Sequence, residues 1–192
     1  MGNLDTLQEM HQIIRGLIED FEKSDVEPFE YTTGDTIFIL NENNIDEVTS
    51  VSINGIALES GQWSYADGEV TIADESGIIS SGDIVSIKYI YYKYSDTELN
   101  GYILSALAYL NVIEEINYKI DSDDIYPTPS SRLENLICLI AGILIKPNYS
   151  QYRLPNLTVS YPTKLDKDEK IQRLIDRYFY SLGINDEEIT LD

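Results

Sequence analysis

The chain has 192 residues, with 13 Lys and Arg against 34 Asp and Glu and a formal net charge of -21. Affinity for nucleic acid through phosphates needs clustered Lys and Arg; between Lys23 and Lys88 there is no Lys, Arg or His while 13 Asp and Glu accumulate, which excludes the simplest phosphate binder. A hydrophobic fraction of 43% with 15 Tyr excludes an acidic disordered chain, and the length suits one moderate domain or two small ones.

The first predicted element is an amphipathic helix. Leu7, Met10, Ile14, Leu17, Ile18 and Phe21 recur at helical spacing, with Asp5 and Gln8 placed to close the first turn, and the helix is expected to end by Lys23. Pro28 breaks this pattern, and from Thr32 the period becomes alternating. Short strands follow. Thr36 to Leu40 is one; Val48 to Ile53 is joined to Ile56 to Leu58 by Asn54-Gly55, whose type I′ turn needs positive φ at both central residues. Trp63 and Tyr65 precede Asp67-Gly68, Val70 and Ile72 follow it, and Ile84 to Tyr94 closes the series with Val85, Ile87, Tyr89 and Tyr91 on one face. Five or six strands in about sixty residues predict a small antiparallel sandwich or partly open barrel.

Helix returns after Tyr94. Ser95-x-x-Glu98 is a capping box before Leu99, Tyr102, Ile103, Ala106, Leu107, Leu110, Ile113 and Ile116. Ser131-x-x-Glu134 opens an apolar helix that Pro147 ends, and Asp166-x-x-Glu169 opens one carrying Ile171, Leu174, Ile175, Tyr178, Phe179 and Leu182, closed by Gly183. The third helix is apolar nearly all round, so neighbours must cover every side. That favours an oligomer, or else the β module covers the open side. Its apolar run, Leu136 to Ile145, is ten residues against the roughly 20 a membrane span requires, and Cys138 within it reads as a buried, inert thiol. Met1 to Asp5 lacks the positive region and apolar core of a secretory signal, so export by that route is not expected.

Pro147 to Lys164 holds three prolines and three tyrosines. It is expected to be an extended arm, residues 147–164, laid along another surface through Tyr149, Tyr152, Leu154, Leu157 and Tyr161; a loop packed on its own subunit is the alternative.

Catalytic chemistry has little to stand on. His11 is the one histidine, beside the apolar face of the first helix, with no Ser or Cys at motif spacing. No glycine-rich phosphate loop and no Gly-x-Ser-x-Gly is present. The acidic stretches Asn41 to Glu47 and Asp121 to Asp124 lack the glycine and glutamate spacing of an EF-hand. No catalytic residue, cofactor or metal is therefore expected. The bases gather late: Lys164, Lys167, Lys170, Arg173 and Arg177 are five of the 13, within fourteen positions. The last four line one flank of the final helix, where an acidic partner could dock; alternatively, Asp166 with Lys170 and Glu169 with Arg173 form i,i+4 pairs on a solvated face.

The order of elements carries a resemblance. A short N-terminal helix, a helix opening Ser95-Asp96-Thr97-Glu98-Leu99-Asn100-Gly101-Tyr102-Ile103-Leu104-Ser105-Ala106-Leu107, further packed helices and an extended C-terminal region resemble the head-to-tail connector, or adaptor, proteins of tailed bacteriophages. The resemblance covers residues 4 to 23 and 95 to 183 and rests on element order; the β module departs from the smallest members. It implies a non-enzymatic virion protein of the neck, made in the host cytoplasm. Its helical bundle would form a homo-oligomeric ring beneath the portal, with extended segments touching the portal, tail proteins or neighbouring subunits. DNA would pass nearby without specific binding, and no membrane would be involved. An acidic wall that repels phosphates is compatible with that role.

The expected protein is thus α+β: a bundle of about four helices, residues 1–31 and 95–192, with a small antiparallel β-sandwich or barrel module inserted at 32–94. Its expected assembly surfaces are the arm, the basic flank of the last helix, and the tail from Asn185 to Asp192 with Ile189 and Leu191. The competing expectation is a carbohydrate- or protein-binding β module of a phage tail or surface protein, using Trp63, Tyr65 and Tyr91 as an aromatic platform; alternation alone places these rings in the sandwich core instead. A metal-assisted hydrolase built on the acidic loops is a third class.

Overall fold

The structure is a computed structural model and describes residues 6–32, 34–73, 79–114, 116–122, 124–154, 157–162 and 164–180. The elements in chain order are α1 (Thr6–Ile18), β1 (Lys23–Glu30), β2 (Ile37–Ile39), β3 (Ile45–Ile53), β4 (Ile56–Ala57), β5 (Trp63–Ala66), β6 (Glu69–Ile72), β7 (Ile84–Tyr91), α2 (Asp96–Glu114), β8 (Lys119–Asp121), β9 (Asp124–Tyr126), α3 (Ser131–Ile145), β10 (Gln151–Leu154), β11 (Leu157–Ser160) and α4 (Lys167–Tyr180). The protein is α+β. It divides into a helical unit, Met1–Asp20 with Asp96–Asp192, and a β unit, Phe21–Ser95.

In the β unit both turn signals behave as their chemistry requires. Asn54 and Gly55 have φ of 49° and 82°, Asp67 and Gly68 of 51° and 84°, the left-handed pairs that join β3 to β4 and β5 to β6. One sheet runs β1-β7-β3-β4 and the other β2-β6-β5, antiparallel at every pairing. Val51, Val85, Ile87 and Tyr89 from the first share one core cluster with Phe38, Val70 and Ile72 from the second. The result is an open two-sheet arrangement, not a closed barrel. The β unit also starts earlier than residue 32. Lys23–Glu30 is a strand despite Pro28, because among the described residues β1 is the edge of its sheet and pairs only with β7, so the missing N–H can face outward.

In the helical unit α1 buries Leu7, Met10, Ile14, Leu17 and Ile18. It stops at Ile18, short of Lys23: Glu19 takes a φ of 57°, and the Asp20 N–H reaches back to the Arg15 carbonyl at 2.9 Å, a Schellman closure. Phe21 is therefore not on the helix face, and 65% of it is exposed. Helix α3 begins one residue earlier than the predicted box, with the Leu133 N–H donating to Ser130 Oγ at 3.3 Å. Every residue from Leu136 to Ile143 is buried, against α1, α2, α4 and β10. The helix that the sequence left uncovered finds its cover inside its own unit, so its apolar surface gives no argument for an oligomer.

Gly142 of α3 faces Leu17 and Tyr152. A Cβ there would meet Leu17 Cβ at 3.5 Å and Tyr152 Cδ1 at 3.7 Å, ordinary contact distances. Gly142→Ala is expected to stabilise by about 0.5–1 kcal/mol through lost backbone freedom, whereas Gly142→Phe has no room and is expected to destabilise. Thermal melts of the two variants check both.

Candidate functional site

The expected arm is a hairpin. Gln151–Leu154 and Leu157–Ser160 pair antiparallel, Tyr152 with Val159 and Leu154 with Leu157. Tyr152, Leu154, Val159 and Tyr161 are buried, and β10 packs on α1 and α3. Alternation of the apolar residues at 152, 154, 157, 159 and 161 was visible in the sequence, and it describes one face of a hairpin laid on its own bundle. Tyr152, Leu154 and Tyr161 are thus core residues. Of the arm residues expected at an interface, Leu157 is 47% exposed and Tyr149 is partly buried, its hydroxyl 3.3 Å from Glu19 Oε2.

The basic flank of α4 divides in the same way. Lys170 is 2% exposed and its Nζ donates to the carbonyls of Pro147 at 2.5 Å and Tyr149 at 2.9 Å. It ties the chain after α3 to α4, and it does not pair with Asp166. Asp166 instead caps the helix, accepting from the Glu169 N–H at 2.8 Å. Lys167, Arg173 and Arg177 are exposed, and among the described residues no carboxylate pairs with Arg173 or Arg177. Ile189 and Leu191 lie outside the described residues.

Arg177 stands where two adjoining depressions meet. The larger, about 380 Å³, has an apolar floor of Leu136, Leu139 and Leu174 with Leu157 and Val159 on the hairpin side. The smaller, about 220 Å³, is bounded by Tyr161, Arg173 and Arg177. Arg132, which also lines the larger one, stacks over the Tyr178 ring at 5.2 Å. Leu157 to Pro162, α3 and α4 together make one groove with a cationic rim.

A second surface lies on α2, outside the sequence-based expectations. Helix α2 buries Leu99, Ile103, Ala106, Leu107 and Leu110, yet it is also apolar on the opposite side: Leu104 is 48% exposed and Val112 is 82% exposed, with Ala108 exposed between them. Spacing of four residues puts these three on one stripe. The signal was present at 104, 108 and 112, but the stronger periodicity of the buried face masked it.

The remaining candidates serve structure. His11 is buried, its Nε2 2.7 Å from Asn100 Oδ1 and its Nδ1 3.4 Å from Asp96 Oδ1, while Arg15 bonds Asp20 and Asp96 at 2.8 Å each. This ties α1 to the start of α2. Cys138 is buried and its thiol is pushed well up by desolvation. In the β unit Glu27 is buried and accepts from the Asn41 N–H at 3.0 Å, from Asn41 Nδ2 at 2.8 Å and from the Tyr89 hydroxyl. Trp63, Tyr65 and Tyr91 are partly buried against the β core, so these rings do not stand out as an open platform. Among the described residues no three His, Cys, Asp or Glu side chains come together as a metal site, and no helix is long and apolar enough to cross a membrane.

No protein-family model matches the chain, and no curated protein sequence matches it.

Proposed function

We propose that the chain is a structural, non-enzymatic virion protein, a subunit of the head-to-tail adaptor ring that links portal to tail around the DNA exit channel. The observation that carries the reading is the outward stripe Leu104, Ala108 and Val112 on α2. Exposed aliphatic surface gains roughly 25 cal/mol for each Å² removed from water, and on a chain of net charge -21 such a stripe is the place where copies can meet without stacking like charges. A stripe that meets a different surface of the next copy generates a ring when the rotation closes. The resemblance in helix order supplies the neck of a tailed phage as the location, with portal and tail proteins as partners. The β unit, with no Lys, Arg or His between Lys23 and Lys88, would repel a passing duplex.

The double variant Leu104→Asp, Val112→Asp tests the self-contact. Both positions are exposed, so the melting temperature is expected to hold within a few degrees, while sedimentation velocity shifts from an assembly to the monomer. Unchanged sedimentation would remove α2 from the interface.

A further inference from the structure

Among the described residues, strand β11 is paired on one side only. The Tyr161 N–H donates to the Ser150 carbonyl at 2.8 Å. By the alternation of an antiparallel pair, residues 157, 159 and 161 turn their backbone groups toward β10, and Thr158 and Ser160 turn theirs outward. Thr158 and Ser160 are exposed. Ser160 lines the smaller lobe of the groove, and the larger lobe holds Leu157 and Val159 against Leu136, Leu139 and Leu174. In the smaller lobe Tyr161 lies beside Arg173 and Arg177. Tyr161 is 9% exposed, and its hydroxyl is buried with no hydrogen-bond partner among the described residues. Buried polar groups of that kind are uncommon and call for a partner.

From this juxtaposition we infer that the groove docks an extended acidic peptide segment of a partner protein. The segment adds as a strand to the outer edge of β11, sinks aliphatic side chains between α3 and α4, and sets a carboxylate against Arg173, Arg177 and the Tyr161 hydroxyl. Charge selects this occupant: one carboxylate satisfies two guanidiniums that have no carboxylate among the described residues, and the Tyr161 hydroxyl with them, whereas a basic segment is repelled by both guanidiniums. Backbone selects a peptide over a fatty acid, since only a strand answers the outward groups of Thr158 and Ser160. Pro162, which has no N–H, ends the edge.

The probe is fluorescein-labelled acetyl-Leu-Glu-Leu-Glu-Leu-Glu, titrated into the full chain and followed by anisotropy. Saturable binding is expected, weakened at least about tenfold by Arg173→Glu with Arg177→Glu, a loss equivalent to about 1.4 kcal/mol. Tyr161→Phe removes a hydroxyl that makes no bond among the described residues; it should weaken binding several-fold with no fall in melting temperature. Thr158→Pro blocks the edge and should weaken binding, while Thr158→Ala should not. Hydrogen exchange should slow at Thr158 and Ser160 in the complex. Any of four results overturns the inference: no binding; equal binding of the lysine-for-glutamate peptide; displacement by laurate without protection of the β11 edge, which marks a small amphiphile; or loss of peptide binding as the chain's own concentration rises, which gives the groove to a second copy. The Leu104→Asp, Val112→Asp chain should bind the peptide normally, so this inference and the ring reading fail separately.

Discussion

Lys170→Met is expected to lower the stability of the helical unit by about 3 kcal/mol. The substitution keeps the length of the aliphatic stem and removes the ammonium that donates to the Pro147 and Tyr149 carbonyls. Hydrogen bonds from a charged donor contribute about 1.5–3 kcal/mol each, and stranding buried acceptors adds desolvation cost. Melting should fall by about 10 °C, at 2–4 °C for each kcal/mol in a chain of this size. Lys167→Met, three positions earlier on the same helix but exposed, should stay within about 0.5 kcal/mol. Equal melting temperatures for the two variants would mean that the Lys170 bonds contribute nothing net.

Glu27→Leu is expected to cost a similar amount in the β unit. It leaves the Asn41 N–H, Asn41 Nδ2 and the Tyr89 hydroxyl without their acceptor at a site where Tyr89 is fully buried. A pH dependence accompanies it. Burial, then the Glu27 carboxylate, push the Tyr89 hydroxyl well above its ordinary value of 10.0. Burial pushes Tyr152 and Tyr161 up to about 12, with Arg177 opposing the rise at Tyr161. A raised value means that the unfolded chain releases these protons first. The stabilisation is therefore complete below pH 10 and is lost as pH rises from about 10 through 12. Melting temperature should be level up to pH 9.5 and then fall steeply, with the last part of the tyrosinate absorbance, that of the buried rings, appearing only as the protein unfolds. Ionisation of all 15 tyrosines by pH 10 in a protein still fully folded would contradict the burial of these rings.

Local signals were the legible part of this chain. Asn54-Gly55 and Asp67-Gly68 demand left-handed backbone and so announced their hairpins, and Asp166 capped α4 because its side chain reaches the third residue on. What depended on which neighbour lies opposite was less legible. Pro28 looked like a break because a central strand cannot hold it, yet β1 is an edge. Lys170 and Arg173 look alike in sequence; only the fold of the hairpin brings two carbonyls within reach of one and leaves the other on a rim. The site shows the same limit. Arg173, Arg177 and Leu157 could be named in advance, but the groove exists because Tyr152, Leu154 and Tyr161, expected on an arm, are buried where β10, with β11 paired to it, packs on α1 and α3.

The proposed ring makes a demand on mass. Native mass spectrometry of the purified 21.8 kDa chain should give one dominant species at an integral multiple of that mass when it is alone, and that multiple added to the mass of the portal ring when the two are mixed, seen as closed annuli in negative-stain images. A chain that stays monomeric in both samples at concentrations where its fold is intact would contradict the adaptor assignment.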